Sequence, residues 1–179
     1  MCKFRVYGSF KMRHIISILL ANQAGALTRV AGMFSTRGYN IESLNVAPTN
    51  NEAVSRLTLV TTGSDDTINQ ISKQLEKLVD VVSIADMTRR GQIQRELALL
   101  KLRTPETSRD KLATLINEFG GHLIEYDEVY GTLEVVGNTE EIDDFIDVIS
   151  SLAEIESVVR SGTMAIAREK PVFDTHTAD

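Results

Sequence analysis

Tryptophan is absent, cysteine occurs once and proline three times, and no apolar run approaches the ~20 residues that a bilayer-crossing helix needs. Each shortage excludes something. The lone Cys2 cannot form an internal disulfide and has no Cys or His near it at metal-ligand spacing, so the cytoplasm is the expected location. His14, His122 and His176 are scattered along the chain, which leaves no metal site in prospect. Positive charge is also short: 19 Lys and Arg against 25 Asp and Glu give a net charge of −6, the wrong sign for a protein that tracks phosphates. "MCKFRVYGSFK" lacks the apolar core of a secretory signal and reads as a short extension over 1–12, with Met12 as a natural start ahead of the first strand.

Catalytic motifs are missing as well. There is no Walker loop, dinucleotide fingerprint or nucleophile elbow. Asp65/Asp66 and Glu140/Glu141 stand at helix starts, where negative charge suits the helix dipole, and "EYDE" at 125–128 reads as a solvated strand end. No segment resembles a helix-turn-helix or an aromatic RNA-binding strand, and the basic "TRRGQIQR" reads as a connector.

What is present is one layout written twice. "RHIISILLA" is apolar on both strand faces apart from Ser17; a helix follows with Leu27, Val30, Ala31 and Phe34 on one stripe, ended by Gly38. "NIESLNVAP" and "AVSRLTLVTT" form a hairpin, a helix capped at Ser64 or Asp65 stripes Ile68, Ile71, Leu75 and Leu78, and "VVSIADMT" closes the set. The order recurs from "RELALLKLR": a helix from about Ser108, a hairpin turning at Tyr130-Gly131, a helix capped near Asn138 or Thr139, and a last strand "SVVRSGTMAIA". The reading is α+β: two consecutive ferredoxin-like βαββαβ sandwiches over 13–89 and 90–168, with a polar tail over 169–179.

Such a sandwich covers one sheet face with helices and leaves the other open. Ile15 and Leu19 on one face of the first strand, opposed to Ile16, Ile18 and Leu20 on the other, leave no polar face to expose. A homodimer through the first domain, by sheet edges or open faces, is therefore expected.

The first strand-to-helix loop, "NQAGALTRVAG", has the chemistry of a small-zwitterion receptor. A helix start offers unpaired N–H groups and a partial positive charge to a carboxylate. Gly25 clears the approach, Ala26 adds little bulk, and Asn22 and Asn40 supply amides for the ammonium and the carboxylate. Leu27 and Ile41 supply an apolar wall. By loop chemistry alone, Asn22, Gly25 and Asn40 also read as turn and cap residues. The matching turn of the second copy, "RTPETSRDK", has no glycine and places Pro105, Glu106 and Asp110 near the helix entrance, which disfavours an anion.

The run "RHIISILLANQAGALTRVAGMFSTRGYNIESLNVAPT", with "SRLTLVTTG", "QISKQLEKLVDV", "RELALLKL" and "SGTMAIARE", resembles the regulatory small subunit family of acetolactate (acetohydroxyacid) synthase. The likeness covers 12–168 and departs from the commonest form at Gln23-Ala24, where an acidic residue or proline is frequent. It implies an N-terminal ACT domain, the amino-acid-sensing form of the sandwich, followed by an ACT-like domain. It further implies a chain without catalysis of its own that binds and stimulates a catalytic large subunit and confers feedback inhibition by valine or another branched-chain amino acid. That partner joins two 2-oxo acids with decarboxylation, and thiamine diphosphate, Mg2+ and FAD are expected on it, with no cofactor on this chain. The implied ligand site lies between two ACT domains: Asn22, Gly25, Ala26 and Leu27 of one chain facing Asn40 and Ile41 of its mate. The alternative is an ACT effector protein acting on another enzyme or on a transcriptional regulator.

Overall fold

The structure is a computed structural model that describes residues 12–89, 91–103 and 109–173. The extension over 1–11, Pro105, Glu106, Ser108 and His176 lie outside the described residues, as does the side chain of Asp110. The chain divides into two compact units, 1–93 with 165–179, and 94–164.

In the first unit the elements run β1 (Met12–Ala21), α1 (Ala26–Thr36), β2 (Ser43–Pro48), β3 (Val54–Gly63), α2 (Asp65–Leu75) and β4 (Val81–Asp86). The strands form an antiparallel sheet in the order β2-β3-β1-β4. Period-two alternation sorts β1 between two cores. Ile16, Ile18 and Leu20 pack with Leu57 and Leu59 against the stripes of α1 (Ala26, Val30, Phe34) and α2 (Ile68, Ile71, Leu75). Ser64 caps α2, its side chain accepting from the Thr67 N–H at 3.2 Å. Gly38, at φ 68°, ends α1 in the left-handed conformation that a side chain resists.

The opposite sheet face differs from the sequence expectation. It is not open: Ile15, Leu19, Val54, Val60, Ala85 and Met87 form a second core with Ala165 and Phe173, against which Ala167 and Val172 also pack. Val172 and Phe173 fall in the stretch read as a polar tail, and they dock because, with Ala165 and Ala167, they take apolar surface of that face out of water. Asn40 and Ile41 also differ from expectation, preceding β2 rather than opening it.

The second unit repeats the order with β5 (Gln92–Arg103), α3 (Arg109–Glu118), β6 (His122–Tyr126), β7 (Tyr130–Gly137), α4 (Thr139–Ser150) and β8 (Glu154–Arg160), in the sheet order β6-β7-β5-β8. Its core joins Ala98, Leu100 and Leu102 to Leu133, Val135, Phe145 and Ile149. Asn138 caps α4 in a full capping box with Glu141. The hairpin turns earlier than expected, at 127–129, because the Asp127 Oδ1 accepts the N–H groups of Val129 (2.8 Å) and Tyr130 (2.7 Å). The single last strand is broken into β8 and β9 (Met164–Ala167) where Gly162 adopts φ 76°. No helix among the described residues is long and apolar enough to cross a membrane.

Candidate site at the mouth of the first helix

β1 delivers the chain to α1 through a loop held by backbone bonds: the Ala21 N–H donates to the Asp80 carbonyl and the Asn22 N–H to the Ala53 carbonyl, both at 2.8 Å. The Asn22 amide also donates through Nδ2 to the Glu52 carbonyl at 2.9 Å. That uses one of the two Nδ2 donors, and Oδ1 is the group able to receive an ammonium.

Gly25 stands at the helix N-cap with φ 86°, ψ −10°, and no side chain caps the helix. The Ala26 N–H reaches the Gln23 carbonyl (3.3 Å) and the Arg29 N–H the Gly25 carbonyl (3.0 Å). The Leu27 and Thr28 N–H groups remain as first-turn donors for an incoming anion. A Cβ at Gly25 would sit 3.1 Å from Arg29 Nη1 in a strained backbone. Ala26 points into the core at 2% exposure, so its methyl is no part of a ligand wall; Leu27, 38% exposed, is available for one.

Asn40 and Ile41 are not brought to this mouth. The Asn40 carbonyl accepts from Thr61 Oγ1 at 2.6 Å, and Ile41 packs against the helix-side core. Ala21 pairs with Val54, whereas Thr61 lies at the far end of β3. Seven strand residues at ~3.3 Å each make that separation about 23 Å, and the 11 residues of α1 span ~16 Å in the same sense.

Asp80, Arg29 and Gln23 form a network at the mouth that the sequence reading did not assemble. The Asp80 carboxylate, 1% exposed, is gripped by Arg29 through Nε, and through Nη2 at 2.8 Å, and accepts from Gln23 Nε2 at 2.5 Å. The Arg29 hydrogen bond, opposed by desolvation, holds the Asp80 carboxyl below the usual carboxylate range, and the same bond raises Arg29. This network ties the start of α1 to the segment before β4 and puts a guanidinium beside Gly25. Arg29, one turn beyond Gly25, was visible on the helix; the acid 51 residues away that orients it was not.

Comparison with known proteins agrees with this architecture. The family model for the acetohydroxyacid synthase small subunit-like ACT domain matches residues 16–83, and that for the small subunit of acetolactate synthase matches 95–169. The acetolactate synthase small subunit of Buchnera aphidicola subsp. Schizaphis graminum is 40% identical over 157 residues, 88% of this chain and 99% of that relative. The chain belongs to the acetolactate synthase small-subunit family.

The isozyme 3 small subunit of Escherichia coli is likewise 40% identical, over 88% of this chain and 96% of that relative. Among solved structures, the acetolactate synthase small subunit of Thermotoga maritima superposes with a TM-score of 0.81 at 31% identity, covering 89% of this chain and 99% of that one. The ACT-domain match spans β1 to β4 and therefore contains the α1 mouth, Asn40 and Ile41. The second family segment ends at 169, so its last residues belong to the first compact unit. As a small subunit, the chain has a catalytic large subunit for partner.

Proposed function

We propose that this chain, in the cytoplasm, binds and stimulates the thiamine-diphosphate-dependent catalytic subunit of acetolactate synthase and makes it sensitive to valine. Thiamine diphosphate, Mg2+ and FAD belong to that partner. The ligand site is formed by two copies of the chain: the α1 mouth of one (Asn22, Gly25, the N–H groups of the first turn, the Leu27 side chain) opposite Asn40 and Ile41 of its mate.

The observation that carries the reading is the placement of the two halves of the site at opposite ends of α1. A two-fold axis perpendicular to α1 reverses its direction, so two α1 helices packed side by side across such an axis lie head to tail, and each mouth meets the other chain's Asn40. One chain alone cannot close the site. Its own segment over 165–173 covers the outer sheet face, which leaves the helices and the β2 and β4 edges for the dimer; of these, α1 and the β2 edge adjoin the two halves of the proposed site. Ligand bridging two chains changes activity by binding one arrangement of them better than another, and tenfold selectivity takes only about 1.4 kcal/mol, near the worth of one hydrogen bond.

The test is turnover by the catalytic subunit with and without this chain, titrated with valine. Stimulation that valine reverses supports the reading. A catalytic subunit indifferent to the chain, or a chain that light scattering finds monomeric with valine bound, refutes it.

A further inference from the structure

Ser17 interrupts an otherwise apolar strand, and its surroundings give the interruption a purpose. It lies on the outer face of the first sheet between Ile15 and Leu19, opposite Thr58. Arg56 follows two residues from Thr58 on the same face, diagonal to Ser17 and within reach of a long side chain. Over them passes the segment 165–173, enclosing a cavity of about 250 Å3 whose wall includes Ser17, Arg56, Met87, Ala165 and Val172. Ser17 is 2% exposed, and among the described residues neither its Oγ nor Arg56 Nε has a hydrogen-bond partner. The Arg56 guanidinium carbon lies 5.2 Å from the centre of the Phe173 ring, within cation–π range.

We infer that this cavity is a binding site for a short-chain monocarboxylate, its carboxylate taken by Arg56 Nε and Ser17 Oγ and its alkyl end by Met87 and Val172. Buried donors without acceptors are costly, and a charged one is satisfied best by an anion. The space exceeds what two unmet donors need from water, being larger than the ~150 Å3 of an engineered apolar cavity that admits benzene. Glu169 also borders the cavity, and its exposed carboxylate makes no ion pair with Arg56 among the described residues. Its charge opposes a dianion such as phosphate and leaves a singly charged, partly apolar guest as the fit.

The site is apart from the α1 mouth and stands whether or not valine binds there. It is tested on the full chain by amide-resolved NMR titration with acetate, propionate and butyrate, using butyramide as the uncharged isostere. At least one acid shifts amides of 15–19, 54–58 and 165–173 saturably, and butyramide does not. Arg56→Gln weakens binding by about tenfold or more, as loss of a charge-assisted bond requires, and Ser17→Ala by a few-fold. Glu169→Gln strengthens it, and Gly25→Asp leaves it unchanged. The proposal is overturned if none of the acids produces saturable shifts at tens of millimolar, if butyramide binds as well as butyrate, if Arg56→Gln has no effect, or if a butyrate-soaked crystal shows ordered water only.

Discussion

Replacing Gly25 by aspartate tests the α1 mouth most directly. Gly25 sits at φ 86°, where an L-residue costs ~1–2 kcal/mol, and aspartate falls at the low end because its side chain bonds locally. The new Cβ meets only the far end of Arg29, at 3.1 Å, and that flexible group gives way. Stability therefore drops by about 1 kcal/mol, or about 4–8 °C in the melting of a unit this size. Valine loses far more. Two carboxylates ~4 Å apart at an effective dielectric constant of ~20 repel by about 4 kcal/mol, nearly a thousandfold. Arg29 offsets part of this by pairing with the new acid, which leaves a loss of about a hundredfold. Gly25→Ala carries the same backbone strain without the charge and loses only a few-fold. Calorimetric titration with valine reads both variants, thermal melts verify folding, and stimulation of the catalytic subunit stays largely intact in each. Wild-type affinity in the aspartate variant, or equal losses in the two, would refute the placement of the ligand carboxylate.

Three further outcomes follow from single contacts. Because Arg29 depresses the Asp80 carboxyl, its stabilising effect is complete above the unfolded value of ~3.9 and is lost as pH falls through the lower folded value. Asp80→Asn is thus less stable than wild type at pH 7, and the gap narrows in acid melts; a gap constant down to pH 2 counts against the pair. Phe173→Ala uncovers the outer face of the first sheet and costs about 3 kcal/mol in urea unfolding, the low end for buried phenylalanine since the residue lies on a covering segment; an unchanged midpoint means that the segment does not dock. Asn138→Ala removes the α4 capping box and lowers second-unit stability by about 1 kcal/mol, while Asn138→Asp stays near wild type; equal melting of all three rejects the cap.

The elements were legible because their causes are local. Stripes such as Ile68, Ile71 and Leu75, the caps at Ser64 and Asn138, and the stop at Gly38 act within a few residues of chain. The candidate site was half legible for the same reason. The glycine at a helix entrance and the amide before it can be read from spacing, whereas Asp80, which orients Arg29 from 51 residues away, carries no local mark. The hairpin at 127–129 falls a few residues before the expected turn, and the break at Gly162 is absent from the sequence reading, since the residues flanking each turn extend a strand equally well.

Sequence by itself determined two βαββαβ sandwiches, the doubly apolar first strand and the glycine at the entrance of the first helix, because alternation, period and turn chemistry are properties of neighbouring residues. Only the tertiary structure decided what covers the outer face of that strand, and it is the chain's own return over 165–173 rather than a second copy. It also decided that the Asp80 carboxylate meets Arg29 at the mouth of α1. A hydrophobic pattern requires a residue to be buried without naming what buries it, and that choice depends on the path of the whole chain.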